Sequence, residues 1–506
     1  MALLALHAPL LRLPYFWDEA GYYVPAARDL LLSGSLIPRS TPSNAHPPLV
    51  MAWLALAWRV AGYSPLVTRT AMLVVAAFSL LGLFRLASFA ANLPVAWATI
   101  ALTALYPVFF TQSSLAHLDL AAAGFTFWGL LAYLEDRPWK AVLWFSLGAL
   151  AKETAILAPL SLFAWELFAR WLPARWSELA PPSGRRSRSF ILLVPVLPLA
   201  CWYGYHYVKT GFLFGNPEFL RYNVTATLDP LRIPLALGLR LWQVFGYFGL
   251  YLLTVAGLLS MRRRPLTANG DARPRIPIWM QMAFLAVLVA YLGFLSAVGG
   301  AVLARYMLPV VPLVMLVMVS TVWRRVRYWR LVVALVAIAF AAGLFTNPPY
   351  GFSLEDNLAY RDYVVMHAEA IRFLALRYPR ARVLTAWPAS DELSRPWLGY
   401  VSRPFPVVRI EDFTPGQIAL AASASNQFDV ALVFSIKYQP AHPLLEDWAL
   451  WQRLKEKYFG YHRDLAPEEV AQRIGGRVVF QKKSDGQWVA VIGLEREENA
   501  ALRPRK

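Results

Sequence analysis

Residues 15–48 read YFWDEAGYYVPAARDLLLSGSLIPRSTPSNAHPP and form a polar segment directly after the apolar run Leu3–Leu13. Two aromatic residues, Phe16 and Trp17, directly precede the acids of this segment, and such residues are enriched at membrane–water interfaces. The adjacent carboxylates of Asp18 and Glu19 therefore lie where a helix would leave the bilayer, and ionisable groups there commonly belong to functional sites. The alternative is that Asp18 only caps a helix beginning near Tyr22, with Glu19 in solvent.

Beyond this segment the composition is that of a polytopic membrane protein, because 58% of the 506 residues are hydrophobic and only 16% are charged. The net charge of +18 does not indicate a nucleic-acid partner. The arginines fall in short loops between apolar runs, as in cytoplasmic loops that face anionic lipid. Cys201 is the only cysteine, which excludes an intrachain disulfide and a cysteine-based zinc cluster. We therefore expect the lipid bilayer, and no nucleic acid, as a partner.

Apolar runs recur as far as residue 346 and predict an α-helical bundle of about 11 transmembrane helices. Residues 1–14 are shorter than the roughly 20 residues that a span requires, so we expect a shortened first helix there. The bundle would occupy residues 1–346, with residues 15–48 as its first outer loop. The other runs lie at 66–87, 94–111, 113–133, 138–154, 155–173, 189–209, 234–261, 277–298, 305–322 and 331–346.

Three arginine-rich loops, 174–188, 262–275 and 323–330, orient the bundle, because such loops remain in the cytoplasm. Counting spans from them places the chain after Thr346 outside the cytoplasm. The run 47–62 then has both ends outside, which predicts an interfacial or re-entrant helix. Alternatively, this run spans the membrane and another short run does not. The same count gathers Asp18, Glu19, His46, His117, Asp119, Lys152, Glu153 and Arg305 at the outer face.

The composition changes in residues 347–506, where charged residues are frequent and long apolar runs are missing. Apolar residues between Val364 and Ala375 recur at helical spacing, which predicts an amphipathic helix over roughly 356–377. Helical stretches alternate with short apolar runs, so we expect a small extracytoplasmic α/β domain. Its predicted strands are Arg382–Ala386, Val407–Ile410, Asp429–Phe434, Arg477–Gln481 and Trp488–Leu494.

Two polar groups lie at the ends of apolar runs. His46 precedes two prolines that favour an extended chain, and it could bind a phosphate or a substrate hydroxyl, or have no role. Lys152 and Glu153 are adjacent between two runs. Lys152 could contact a lipid phosphate as a point charge. Alternatively, the two charges simply neutralise each other.

Two further groups offer similar choices. His117 and Asp119 are two residues apart, so on a regular helix their side chains point to different sides. They could contact one ligand only if the chain is irregular there, and Asp119 could instead be an ordinary partner of a helix dipole. Arg305, followed by Tyr306, could bind a phosphate bidentately or extend toward lipid headgroups.

These residues, in this order, resemble the GT-C membrane glycosyltransferases. The greatest similarity is to the branch that contains the protein O-mannosyltransferases and the lipid A aminoarabinose transferases. This resemblance covers roughly residues 1–345, whereas residues 347–506 resemble no family. The matching stretches are FWDEAGYYVPAARDLLLSG (16–34), HPPL (46–49), TQSSLAHLDLAAAGF (111–125), LAKETAIL (150–157) and ARYMLPVVP (304–312).

The resemblance implies a sugar donor carried on a polyprenyl or dolichyl phosphate, and transfer at the outer face of a cell (inner) membrane. The enzyme would be a hexosyl or pentosyl transferase whose acceptor is a protein, a lipid or a glycan. The family's catalytic acid maps to Asp18, with Glu19 as its neighbour in the same motif, and basic residues near the donor phosphate suggest Lys152 and Arg305. The expected substrate-binding residues are His46, His117, Asp119, Lys152, Glu153, Arg305 and Tyr306.

Chemically, Asp18 would accept a proton from the acceptor while the two cations offset charge on the departing phosphate. Phosphate leaves readily, so no nucleotide cofactor is required. The branch resembles metal-independent enzymes, although Asp18, Glu19 and Asp119 would suit a divalent cation. A transporter or lipid flippase with a polar intramembrane cavity is the alternative, but no internal repeat is visible. A non-catalytic assembly factor is a third possibility.

Overall fold

The structure is a computed structural model in which contacts between residues divide the chain into two compact units. We call them the helical unit, Met1–His7 with Ala26–Thr346, and the sheet unit, Ala8–Pro25 with Asn347–Lys506. The residues described are 2–182, 189–268, 271–440 and 448–494.

The helical unit consists of helices joined by short turns, and helices of eight or more residues are numbered here in chain order. They are α1 Val24–Ser33, α2 Leu49–Ala61, α3 Pro65–Ala90, α4 Leu93–Leu105, α5 Asp119–Leu134, α6 Pro138–Ala151, α7 Leu157–Phe168, α8 Val196–Thr210, α9 Arg232–Phe245, α10 Leu250–Ser260, α11 Ile278–Ala297, α12 Val311–Arg325 and α13 Trp329–Phe345. Shorter helices lie at Ala2–His7, Pro107–Gln112 and Pro217–Leu220.

Several of these segments are long and apolar enough to cross a bilayer, so the predicted α-helical polytopic membrane fold is confirmed. Four segments meet both criteria among the described residues: Pro65–Ala90, Ser189–Thr210, Arg232–Ser260 and Ile278–Ala297. Shorter apolar helices are α2, α4, α5 and α13. Helix α2 has 13 residues, about 20 Å at 1.5 Å per residue. Helix α4 has the same length, so the interfacial or re-entrant position expected for the run 47–62 stays a prediction.

Several of the predicted runs are not single helices, and two of the breaks have a visible cause. The run 113–133 is helical only from Asp119, and the hydroxyl of Ser113 donates to the Phe109 carbonyl at 2.7 Å, a local bond that competes with helix continuation. The run 234–261 breaks after α9, where Phe248 has φ 48° and Gly249 has φ 87°. A positive φ ends the helical hydrogen-bond ladder, and hydropathy alone carries no information about it.

The arginine-rich loops contact one another within the helical unit. The Leu266 N–H donates to the Arg324 carbonyl at 2.9 Å, and Arg325 Nη1 donates to the Met261 carbonyl at 2.7 Å. Arg275 forms an ion pair with Glu178 at 3.0 Å. All three loops therefore lie at one end of the helices, which the positive-inside argument requires. Three arginines of that argument, Arg185, Arg186 and Arg188, lie outside the described residues.

Close packing of α3 on α5 predicts a stability effect. A Cβ added at Gly82 would lie 2.8 Å from Trp128 Nε1, and this indole nitrogen donates to the Phe78 carbonyl at 3.2 Å. Gly82→Ala must therefore displace an anchored ring, and we expect a loss of about 1–3 kcal/mol, measured as a lower melting temperature in detergent. Gly293→Ala is the matched control, because nothing lies within 4 Å of its added Cβ. Equal melting of the two variants would contradict the packing argument.

The sheet unit contains a five-stranded mixed sheet in the order β2-β1-β3-β5-β4. Strand β1 pairs in parallel with β2 and β3, whereas β5 is antiparallel to β3 and β4. The β4–β5 hairpin turns at Asp485 and Gly486, both with positive φ, as a tight two-residue turn requires. The strands are β1 Val383–Ala386, β2 Val407–Ile410, β3 Val430–Phe434, β4 Gly476–Ser484 and β5 Gln487–Leu494.

The core of the sheet unit lies around β1 and β3, all of whose residues are buried. Parallel strands with both faces covered carry continuous apolar runs, which explains why the sequence revealed them. Helix α14 packs on β4 and β5, and α17 packs on β4. The predicted amphipathic helix and α/β class are thereby confirmed. The helices are α14 Ala359–Arg377, α15 Pro415–Ser423, α16 Ala449–Phe459 and α17 Pro467–Ile474, with a short helix at Ala389–Ser394.

Candidate functional site

Three helix ends in the helical unit supply a buried charge cluster. Asp119 is the first residue of α5, Lys152 follows the last residue of α6, and Arg305 lies in the short 3-10 turn Ala304–Met307 before α12. Each helix ends at a break in regular structure, so the side chains can converge there without interrupting a hydrogen-bond ladder. Their exposed fractions are 2%, 4% and 1%, respectively.

Asp119 joins the two cations. Its Oδ1 lies 2.5 Å from Lys152 Nζ, and its Oδ2 lies 3.3 Å from Arg305 Nε. Arg305 Nη1 also lies 3.1 Å from His117 Nδ1. His117 and Asp119 thus reach the same guanidinium, because residues 113–118 do not form a regular helix. The sequence-predicted residues His117, Asp119, Lys152 and Arg305 form one cluster.

The ring of Tyr306 completes this cluster. Lys152 Nζ lies 3.9 Å from the ring centroid, and the guanidinium carbon of Arg240 lies 5.5 Å from it. Cations near an aromatic ring are attracted by its quadrupole, so Tyr306 helps to keep two like charges in one small volume.

Arg240 is a member of the cluster that the sequence analysis missed. It lies on α9 and is fully buried. Its Nη1 donates to the Leu303 carbonyl at 2.7 Å and to Gln243 Oε1 at 2.9 Å. Its Nε and Nη2 make no hydrogen bond with any described residue. These two nitrogens form one edge of the guanidinium, the edge that binds an oxyanion bidentately.

The face of helix α9 that carries Arg240 also binds the backbone of residues 299–303, just before Arg305. Gln243 Nε2 donates to the Val302 carbonyl at 2.7 Å, and Arg232 Nη2 donates to the Gly299 carbonyl at 2.8 Å. Arg232, Arg240 and Gln243 are eight and three residues apart, so they lie on one side of a helix. That spacing within an apolar run was the sequence signal for this polar face.

The charges of the cluster do not balance. Lys152 and Arg305 pair with Asp119, the one carboxylate of the cluster, while Arg240 lies over the same Tyr306 ring, and all four side chains are buried. Buried charge without a counterion is costly. An anion with several oxygens would supply the missing charge and accept the unused N–H groups of Arg240. The arrangement is therefore suited to binding a phosphate group.

His46 and Glu153 form a separate ion pair in the helical unit. His46 Nδ1 lies 3.0 Å from Glu153 Oε2, and their side chains are 14% and 26% exposed. Glu153 thus pairs with His46, whereas its neighbour Lys152 pairs with Asp119. The alternative in which Lys152 and Glu153 neutralise each other does not hold.

The two acids of the first loop belong to the sheet unit. Glu19 is fully buried and its Oε1 accepts the Phe16 N–H at 2.7 Å. Asp18 is partly exposed. It precedes the π-helical turn Glu19–Tyr23, but its carboxylate makes no capping hydrogen bond there. The Asp18 side chain therefore does not cap this turn.

By their chemistry, Asp18, Glu19 and Asp119 would suit a divalent cation. Within the described ranges, no group of three or more His, Cys, Asp or Glu side chains is arranged to hold a metal ion.

No protein-family model and no curated protein sequence matches this chain. Several solved structures are similar to it. ArnT from Cupriavidus metallidurans bound to undecaprenyl phosphate has a TM-score of 0.54 and 15% identity over 97% of both chains. Its apo state has a TM-score of 0.53 and 14% identity over 97% of this chain and 96% of that one. AglB is an oligosaccharyltransferase from Archaeoglobus fulgidus, solved in complex with an inhibitory peptide and a dolichol-phosphate. It has a TM-score of 0.47 and 13% identity, over 95% of this chain and 70% of that chain. At such identities the two ArnT likenesses concern the fold.

Proposed function

The chain has the fold of the GT-C membrane glycosyltransferases, and we propose that it transfers a sugar from a polyprenyl-phosphate donor to an acceptor. The observation that carries the proposal is the unused guanidinium edge of Arg240 within a buried cluster that has a surplus of positive charge. The motif resemblance adds the reaction class. ArnT with undecaprenyl phosphate bound offers a precedent for such a ligand in this fold.

In this proposal the donor phosphate binds among Lys152, Arg240 and Arg305. Asp119 holds Lys152 and Arg305 in place, and Tyr306 packs beneath the cations. As the bond between the anomeric carbon and the phosphate oxygen breaks, its electron pair passes to the phosphate. The cations stabilise the negative charge that develops there. Because these groups are already oriented, little reorganisation accompanies the step.

Asp18 is the proposed general base, a role that rests on the motif resemblance. The acceptor hydroxyl or amine attacks the anomeric carbon and loses its proton to the Asp18 carboxylate. A single displacement inverts the anomeric centre. Glu19, whose carboxylate accepts a backbone N–H, would act by holding the turn rather than by touching the substrate. His46 and Glu153 are partly exposed and are suited to contacts with sugar hydroxyls.

The proposed location is the inner membrane, with the sheet unit outside the cytoplasm. The grouping of the arginine-rich loops at one end supports this orientation, because such loops favour the cytoplasmic side. The ends of α5 and α6 that carry Asp119 and Lys152 are then on the outer side by the span count.

The test uses membranes that contain the full chain and radiolabelled polyprenyl-phosphate hexoses and pentoses. We expect label to move from at least one donor to an endogenous lipid, protein or glycan, with release of polyprenyl phosphate. Membranes with the empty vector are the control. Movement of the labelled lipid between leaflets without sugar transfer would instead favour the flippase alternative. The identity of the labelled product would assign the sugar and the acceptor together.

A further inference from the structure

The segment that carries Asp18 is built into the sheet unit. Residues Ala8–Pro25 form one compact unit with the C-terminal part of the chain. The Tyr15 N–H donates to the Leu398 carbonyl at 3.3 Å, and the Tyr400 hydroxyl donates to the Tyr15 carbonyl at 3.1 Å. The backbone just before the acidic pair is therefore held by residues nearly 400 positions away in the sequence.

Aromatic rings hold the next two residues. Phe16 packs against Tyr363 with ring centroids 5.3 Å apart. Trp17 contacts Tyr363 at 5.7 Å and Trp387 at 5.2 Å, in both cases edge to face. We call Tyr363 and Trp387 the aromatic support. Edge-to-face ring pairs of this kind stabilise a structure beyond the burial of their area.

The backbone at Trp17 is strained, which shows how firmly the segment is held. Its φ is 43°, a left-handed value that a bulky residue rarely adopts. Such a conformation is costly and persists only where the surrounding structure imposes it. Because Trp17 directly precedes Asp18, its dihedral angles set the direction in which the Asp18 side chain leaves the chain.

The turn that follows Asp18 lies directly on Trp387. A Cβ added at Gly21 would be 2.7 Å from Trp387 Cζ2 and 3.1 Å from its Nε1. Tyr22 packs on the same indole with centroids 6.0 Å apart. The indole is therefore confined between Trp17 and Tyr22, and only glycine fits at position 21 without moving it.

The aromatic support is anchored in the core of the sheet unit. Tyr363, on α14, stacks on His367 with centroids 3.9 Å apart, and His367 Nδ1 lies 2.7 Å from Glu392 Oε2. Burial, together with the nearby Glu392 carboxylate, raises the pKa of Tyr363 well above its usual range, so this ring stays neutral. Trp387 directly follows β1. Side chains on such rigid elements can hold a catalytic group with little freedom.

We propose that Tyr363 and Trp387 are positioning residues for Asp18, and that the sheet unit supports catalysis by orienting this carboxylate. The inference rests on the proposed function, in which Asp18 is the general base. It assigns to the C-terminal domain a role that its lack of a family resemblance leaves open. A misplacement of about 1 Å at a catalytic group can cost about 100-fold in rate, so loss of this support should lower kcat.

The test compares full-length Gly21→Ala, Trp387→Phe and the double variant. Gly21→Ala should lower kcat by about 10- to 100-fold, with KM for donor and acceptor within about twofold. Trp387→Phe keeps an aromatic ring beside Trp17 and should lower kcat by only a few-fold, and it shortens the ring that a Cβ added at position 21 would strike. The double variant should therefore recover most of the loss and approach the activity of Trp387→Phe alone. Gly416→Ala and Trp448→Phe are matched controls in the same unit, because Gly416 has open space around it and Trp448 is 56% exposed.

The outcomes separate the two hypotheses. The positioning role would be overturned by any of three results: losses of kcat that multiply in the double variant, an unchanged kcat in Gly21→Ala, or a change confined to KM. In each of these cases an inactive Asp18→Asn variant would leave the proposed function standing. Full activity of Asp18→Asn would instead overturn the proposed function. Melting temperatures of all variants separate loss of kcat from loss of folded protein. If Gly21→Ala does not fold, Tyr363→Leu provides the same comparison of kcat with KM.

Discussion

Replacing Asp18 with asparagine is expected to lower kcat for sugar transfer by about 100- to 10,000-fold, the range that a positioned general base contributes. Asparagine keeps the size and partial exposure of the side chain but cannot accept the acceptor's proton at neutral pH. The binding of the lipid-linked donor should change little, because its phosphate is assigned to the helical unit. The measurement is label transfer from the active donor at saturating concentration, with binding of polyprenyl phosphate followed separately.

Glu19→Gln is the informative comparison for that experiment. The Glu19 side chain is buried and accepts the Phe16 N–H, and the glutamine carbonyl can accept the same bond. We expect Glu19→Gln to keep far more activity than Asp18→Asn. The opposite order of activities would transfer the base role to Glu19, and equal full activity would remove both acids from the chemistry.

Arg240→Met is expected to weaken binding of polyprenyl phosphate by roughly 100-fold, since it removes a bidentate, charge-assisted contact of about 3 kcal/mol. Methionine fills much of the same volume, and no carboxylate forms an ion pair with Arg240 among the described residues, so its loss leaves no carboxylate without a counterion. Arg240→Lys keeps the charge but not the two-nitrogen edge, and it should fall between the wild type and Arg240→Met. Binding of undecaprenyl phosphate to the purified protein in detergent measures this directly.

The control is Arg262→Met, in an exposed arginine-rich loop away from the cluster. It should bind undecaprenyl phosphate like the wild type, because exposed charges contribute little to a buried phosphate site. If Arg240→Met and Arg262→Met bind equally well, the phosphate does not use the edge of Arg240. Arg262→Met should melt close to the wild type. Arg240→Met also loses the hydrogen bonds to the Leu303 carbonyl and Gln243 and should melt lower, so binding is compared at a temperature at which both variants are folded.

Much of the fold could be predicted because its signals are local. Buried strands such as Val430–Phe434 appear as short apolar runs, and α14 has apolar residues at helical spacing. The breaks within helices could not be predicted in this way. Phe248 adopts a positive φ in an otherwise apolar stretch, and Ser113–Leu118 leaves the helix although its residues continue the hydropathy of the run.

The residues of the candidate site, too, could be predicted only in part. Lys152 and Arg305 were visible because a charge between apolar runs is conspicuous, and Asp119 because it opens a helix. Arg240 was not singled out, since a single arginine within an apolar run resembles one that extends to the headgroups. Only the structure shows that it is fully buried, over Tyr306, with two nitrogens unused.

By itself, the sequence determined the membrane class, the polar segment after the first apolar run, the α/β class of the C-terminal domain and most of the charged residues that form the cluster. These properties follow from composition and from spacing within one stretch of chain. The tertiary structure decided which charges pair, that Arg240 joins them, and that the segment bearing Asp18 packs with the C-terminal sheet. Those facts depend on contacts between residues that are 33 to 385 positions apart, and such contacts are set by how helices and sheets pack rather than by any local pattern.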